Sequence, residues 1–173
     1  MFLELIATVF AGIAMAGLVM LLNRVLGGRL PKWLAPVGAG LAMIAVTISS
    51  EYSWYGRTAA ALPEDVEVIE TVDSQAIYRP WTYVAPYVDR FAALDRASVQ
   101  TNPALPDQRL ADLYFFGRWT AVSKLPVLVD CAGARRANLA DGAQFDDDGA
   151  ITNADWVAAD DGDAVIQALC GDA

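Results

Sequence analysis

Hydrophobic positions crowd the front of this chain and alternate with polar ones behind it. Leu5 to Leu22 is an uncharged run of 18 residues, and Trp33 to Ser50 is a second of the same length. At 1.5 Å per residue each makes about 27 Å of helix, close to the roughly 30 Å hydrocarbon core of a bilayer. Two helices apolar on every side need lipid, or more protein than the rest of the chain supplies, to cover them. Between them NRVLGGRLPKW carries Gly27, Gly28 and Pro31, which break a helix and allow a tight reversal. The pattern predicts a transmembrane hairpin over residues 1–50, with spans at about 5–22 and 33–50 and a turn at 23–32. Trp33 at one end of the second run and Tyr52, Trp54 and Tyr55 at the other suit a span anchored at both interfaces.

Charge orients the hairpin. From Met1 to Ser50 the charged side chains are Glu4, Arg24, Arg29 and Lys32, and the three cations all lie in the turn. Short positive loops stay in the cytoplasm, so both chain termini are expected outside, in the periplasm of a bacterial inner membrane. The high Arg and Ala content resembles that of a G+C-rich bacterium. A cleaved signal peptide needs a basic region ahead of its apolar core, and MFLEL offers an acid there instead. Small residues recur four apart at Ala7 and Ala11, Gly12 and Ala16, and Gly38 and Ala42, a spacing that lets helix backbones approach in lipid. They are expected to pack the two spans against each other. No ionisable group sits in the middle of either span, which argues against a proton relay or ion path.

Residues 51–173 change character, with 20 acidic against 9 basic groups. Phosphates and anionic headgroups repel such a surface, so nucleic acid is excluded as an expected partner. Residues 51–65 read as an interfacial linker, and 66–173 as an acidic α+β periplasmic domain. Val66 to Val72, VEVIETV, alternates apolar and acidic residues as a strand does. QAIYRPWTYV is the expected partner strand, at an edge because Pro80 removes a ladder donor. On that strand Ile77, Arg79, Trp81 and Tyr83 share a face, bringing the Arg79 guanidinium near the Trp81 ring as a possible docking patch. Tyr87, Phe91 and Leu94 fall at helical spacing, so Pro86 to Arg96 is expected as a helix and SVQTNPALPDQ as a loop. A second hairpin is expected from LYFFGRW, a turn at TAVS, and KLPVLVDC.

Along KLPVLVDC, Leu125, Val127, Val129 and Cys131 occupy one face. In the C-terminal DAVIQALC, Ile166, Leu169 and Cys170 form a helical stripe. Both cysteines of the chain thus lie on apolar faces, which in an oxidising compartment predicts a Cys131–Cys170 disulfide. The expected fold is therefore a two-span hairpin followed by a small disulfide-linked α+β extracytoplasmic domain.

Chemistry is sparse. The chain has no histidine, which excludes Ser-His and Cys-His nucleophiles and the usual imidazole metal ligands. Ser123 adjoins Lys124, but neighbours on a strand point to opposite faces. No glycine-rich phosphate loop is present, and no cofactor is implied. QFDDDGAITNAD partly matches a calcium loop, with Asp146, Asp148 and Asp155 as candidate ligands, yet Gln144 holds its first position and an Asp-Gly turn explains the stretch better. The expected function is a non-catalytic accessory or scaffold subunit that sits in the bilayer and docks to a larger integral membrane protein. Arg79, Trp81, Tyr52, Trp54 and Tyr55 are its candidate contacts. The alternative is a membrane-tethered module that binds or senses a ligand or calcium.

Overall fold

A computed structural model describes residues 2–77, 79–139, 144, 146, 151–160 and 162–171. The chain divides into two compact units, Met1–Gly56 and Arg57–Ala173.

The first unit is a helical hairpin of α1 (Phe2–Val25) and α2 (Leu34–Ala59). Apolar sequence makes up most of both helices. α1 ends just before Gly27 and Gly28, which take left-handed backbone angles, φ 68° and 76°, that glycine adopts without steric cost. Asn23 braces this reversal: its Oδ1 accepts the Leu30 N–H at 2.9 Å and its carbonyl accepts the Gly28 N–H at 2.8 Å. The helices run antiparallel, with Gly12 facing Met43 and Ala39, and Gly38 facing Val19 and Met15. At the open end of the hairpin Ser50 Oγ donates to Glu4 Oε1 at 2.8 Å. Gly12, Ala11, Ala16, Gly38 and Ala42 turn inward as their spacing suggests, whereas Ala7 is exposed. The α2 helix does not end at the last residue of the uncharged run but continues nine residues beyond Ser50.

The second unit is a disulfide-bearing α+β domain built on a curled sheet. Among the described residues six strands follow one another as an antiparallel meander in sequence order. They are β1 (Val66–Ser74), β2 (Tyr87–Asn102), β3 (Leu105–Gly117), β4 (Ser123–Asp130), β5 (Arg135–Asn138) and β6 (Trp156–Ala158). A short helix, α3 (Ala164–Cys170), packs on one face of the sheet. Leu94, Ala111, Leu113, Val127 and Val129 of the sheet join Val165 and Leu169 of α3 in the buried core, with Leu125, Ile166, Cys131 and Cys170 packed around them. The stripe on α3 is thus wider than Ile166, Leu169 and Cys170, because Val165 is buried as well.

Several polar contacts fix the helix where apolar packing alone would let it slide. Asp163 caps its start, accepting from the Val165 and Ile166 N–H groups at 2.9 and 3.3 Å. The other Asp163 oxygen meets Arg136 Nη1 at 3.3 Å. At the far end Arg96 Nη1 donates to the Ala168 carbonyl at 2.8 Å, and Arg109 Nη1 donates to the Leu169 carbonyl. Cations at these last carbonyls satisfy acceptors that a helix end leaves open. The disulfide joins Cys131, just after β4, to Cys170, with a Cα–Cα distance of 5.7 Å.

Three expected elements differ from those observed. QAIYRPWTYV does not form the partner of β1; Pro80–Tyr83 is a 3-10 turn, and β1 pairs with β2 instead. Proline at the start of that turn loses no hydrogen bond, whereas in a strand it removes one. Pro86 to Arg96 lies mostly in β2 rather than in a helix. There Phe91, Ala92, Ala93 and Leu94 are all buried, so both faces of the strand are covered and the alternation that marks a half-exposed strand is missing. SVQTNPALPDQ is not a long loop: the strands continue to a tight turn whose Asn102 Oδ1 accepts the Ala104 N–H at 3.0 Å. Where the pairing of β2 and β3 slips between Asp95 and Gln100, Asp95 Oδ1 accepts the Ala97 and Ser98 N–H groups at 3.0 and 3.3 Å, and Ser98 Oγ accepts the Asp112 N–H at 2.9 Å. Side chains thus replace the missing ladder bonds.

Candidate functional site

The surface of the hairpin is its first functional feature. Both helices are long and apolar enough to cross a membrane, and only 6% of each apolar stretch is buried within the structure. Phe2, Leu5, Phe10, Ile13, Leu41 and Ile44 are among the large apolar side chains left exposed. A core helix of a water-soluble domain would have these covered. Arg24, Arg29 and Lys32 are exposed in the turn.

The second feature is one end of the sheet. In an antiparallel meander the connections after odd strands share an end, so the β1–β2 and β3–β4 loops lie together. The Arg118 N–H donates to the Asp89 carbonyl at 2.9 Å and ties the second loop to the start of β2. The first loop is braced from within by Thr82, which is fully buried. Thr82 Oγ1 accepts the Ala76 N–H at 3.0 Å and donates to the Arg79 carbonyl at 2.7 Å. This brace turns the apolar side chains of the loop outward: Ile77 is 87% exposed and Val84 89%, with Trp81 and Tyr83 about half exposed. In the neighbouring loop Trp119 and Val122 are exposed too.

The 3-10 turn takes Arg79 and Trp81 off the common strand face on which they were expected to meet. Arg79 instead lies 5.9 Å from the centre of the Tyr87 ring, and its Nη1 donates to the Tyr87 hydroxyl at 3.3 Å. The stacked pair at this end is Arg118 on Trp119, with 5.0 Å from guanidinium to ring centre. The sequence pattern puts Trp119 at the end of the strand arm LYFFGRW, ahead of the TAVS turn, whereas β3 ends at Gly117 and leaves Trp119 in the loop. The available signal was parity: loops one hairpin apart meet at the same sheet end. Nearby, Lys124 donates to Asp112 Oδ2 at 2.7 Å, and this hydrogen bond holds its pKa above the ordinary lysine value. Of the candidate contacts before the domain, Tyr52 is exposed, Tyr55 half-buried and Trp54 buried.

At the opposite end of the sheet a charged corner surrounds the disulfide. Asp130 Oδ2 accepts from Arg135 Nε at 2.7 Å and Oδ1 accepts the Gly133 N–H at 3.1 Å. Burial pushes the Asp130 pKa up, but the bond from Arg135, the backbone N–H donors and the guanidinium charge outweigh it and hold the carboxyl below its usual range. The Arg135 guanidinium also covers the Trp156 ring at 4.5 Å. These contacts lock the β4–β5 turn, where Ala134 is left-handed at φ 44°.

Of the calcium candidates, Asp148 lies outside the described residues, and Asp155 is exposed. Thr152 N–H donates to the Gln144 carbonyl and Gln144 N–H to Asn153 Oδ1, both at 2.9 Å, which pairs the two ends of that stretch. Among the described residues no three His, Cys, Asp or Glu side chains gather as a metal ion requires. A cavity of about 140 Å³ lies between Leu110, Leu128 and Ile151, rimmed by Gln100, Asn102 and Gln108. No family model, curated protein or solved structure matches the chain.

Proposed function

We propose that the two N-terminal helices span a bacterial inner membrane as a hairpin, and that the protein is a non-catalytic accessory subunit of a larger membrane complex. The observation that carries this reading is the hairpin surface: its inner seam is satisfied by close packing at Gly12 and Gly38, while its outer faces stay apolar and open. Lipid covers such faces, and a partner helix can cover part of them. The cationic turn at Arg24, Arg29 and Lys32 belongs in the cytoplasm, which puts both termini and the acidic domain in the periplasm. A disulfide in the domain suits that oxidising compartment. The sequence has no histidine to act as base for a hydroxyl or thiol nucleophile, which fits a non-enzymatic role. Purification from native membranes in mild detergent tests the proposal. A stoichiometric larger membrane protein should accompany the chain, and recovery as a discrete monomer would count against it.

The cavity beside Leu128 favours a second reading, a tethered ligand-binding module. Its volume of about 140 Å³ is below the roughly 300 Å³ at which small-molecule pockets begin, so this reading stands second.

A further inference from the structure

The loop end of the sheet combines three properties. Ile77, Trp81, Tyr83 and Val84 of one loop and Trp119 and Val122 of the other are exposed at one end of the sheet. Segments 75–86 and 118–122 contain Arg79 and Arg118 but no Asp or Glu, although residues 51–173 hold 20 acidic groups. The protruding side chains are also held on a firm base, because Thr82 and the Arg118–Asp89 backbone bond fix both loops.

Each property matches the headgroup layer of a bilayer. Trp and Tyr rings settle at that depth, where an apolar body and a polar tip are both accommodated. Guanidinium groups bind phosphodiesters, and carboxylates at such a surface would be repelled by anionic lipid. Trp, Tyr and Arg also favour protein interfaces. Two observations point to lipid instead. The exposed residues sit at the tips of adjacent loops rather than in a groove or flat face, and the same chain carries two helices long and apolar enough to cross a bilayer.

We propose that the β1–β2 and β3–β4 loops form a lipid-contacting surface, with Trp81 and Trp119 in the phospholipid headgroup layer and Arg79 and Arg118 toward its phosphates. The proposal rests on the reading that the helices span the bilayer. It assigns Trp81 to lipid, and leaves protein docking to the outer faces of the helices and the rest of the domain.

The full chain, reconstituted in phosphatidylcholine vesicles containing phosphatidylglycerol, carries its own reporters. Lipids brominated near the headgroup should quench part of the tryptophan emission. Trp81→Phe and Trp119→Phe should each lose a share of that quenching, and both rings should be shielded from aqueous acrylamide. Introducing carboxylates by Ile77→Asp with Val84→Asp, at two open positions, should lift Trp81 out of the lipid while near-ultraviolet circular dichroism stays unchanged. Trp33→Phe separates the two readings, since Trp33 sits at the start of α2. If Trp33→Phe loses quenching and the two loop variants do not, the loop proposal is overturned and the spans stand. If none of the three variants loses quenching, the spanning reading falls and takes the loop proposal with it. Shielding from acrylamide in native membranes but not in lipid vesicles would also overturn it, and assign the loop end to a protein partner.

Discussion

Met43 of α2 fills the space that the absent side chain of Gly12 leaves on α1, so that a Cβ built on Gly12 lies 2.9 Å from both Cγ and Sδ of Met43. Gly17, on the same helix, has nothing within 4 Å of such a Cβ. The two glycines therefore separate close packing from glycine content. Gly12→Val should weaken the hairpin by about 1–3 kcal/mol, the usual cost of overpacking, and Gly17→Val should leave it nearly unchanged. Detergent-induced separation of the helices, followed by energy transfer between labels on α1 and α2, checks this. Equal effects at both positions would show that the seam does not depend on Gly12.

The disulfide closes a sequence separation of 39 residues, which in the chain-entropy picture stabilises the domain by about 4 kcal/mol. Replacing both Cys131 and Cys170 by Ser should lower domain stability by about that amount. Arg96, Arg109 and Arg136 still hold α3 at both ends, so the variant should remain folded in the absence of denaturant. Urea unfolding of the full chain, read by the near-ultraviolet signal, measures the difference. A variant as stable as the wild type would mean that the three arginines alone pin the helix.

Where sequence and structure agree, one face of an element meets one environment. Leu125, Val127 and Val129 of β4 meet the core from the face their spacing marked, and the apolar stripe of α3 placed Cys170 opposite Cys131 for the same reason. The two helices were legible because uncharged runs of that length leave no other element to form. Reading failed where both faces are covered, as in Phe91–Leu94 of β2. It failed again where a local side chain decides the backbone, as Thr82 does beneath Trp81. At the loop end the aromatic residues were visible singly. Their grouping depends on strand parity, which exists only once the meander is known.

Asp130 gives the domain an acid-sensitive corner. Its folded pKa lies below its unfolded value of about 3.9, so its contribution is fully present above that pH and is lost as pH falls through the folded pKa. Stability should therefore decline below about pH 4. Asp130→Asn should remove part of that decline while costing about 1 kcal/mol near neutral pH, less than the usual charged hydrogen bond because Arg135 is partly solvated. Urea midpoints of wild type and variant across this range check both statements. Parallel curves would remove Asp130 from the acid response.

The orientation of the hairpin can be read at two exposed positions. Leu26 lies in the cationic turn and makes no side-chain hydrogen bond, whereas Asn23 braces the turn and is better left intact. Val157, on β6, is exposed on the domain. In intact cells a membrane-impermeant maleimide should label Val157→Cys and spare Leu26→Cys until the membrane is permeabilised. Arg24, Arg29 and Lys32 are the cause assigned to that orientation, so replacing all three by Gln should let part of the population insert the other way and make Leu26→Cys reactive in intact cells. Labelling of Leu26→Cys with the cations still present would invert the topology and place the domain in the cytoplasm. Unchanged shielding after their removal would keep the topology but assign its cause elsewhere, with the polarity of the acidic domain as the next determinant to test.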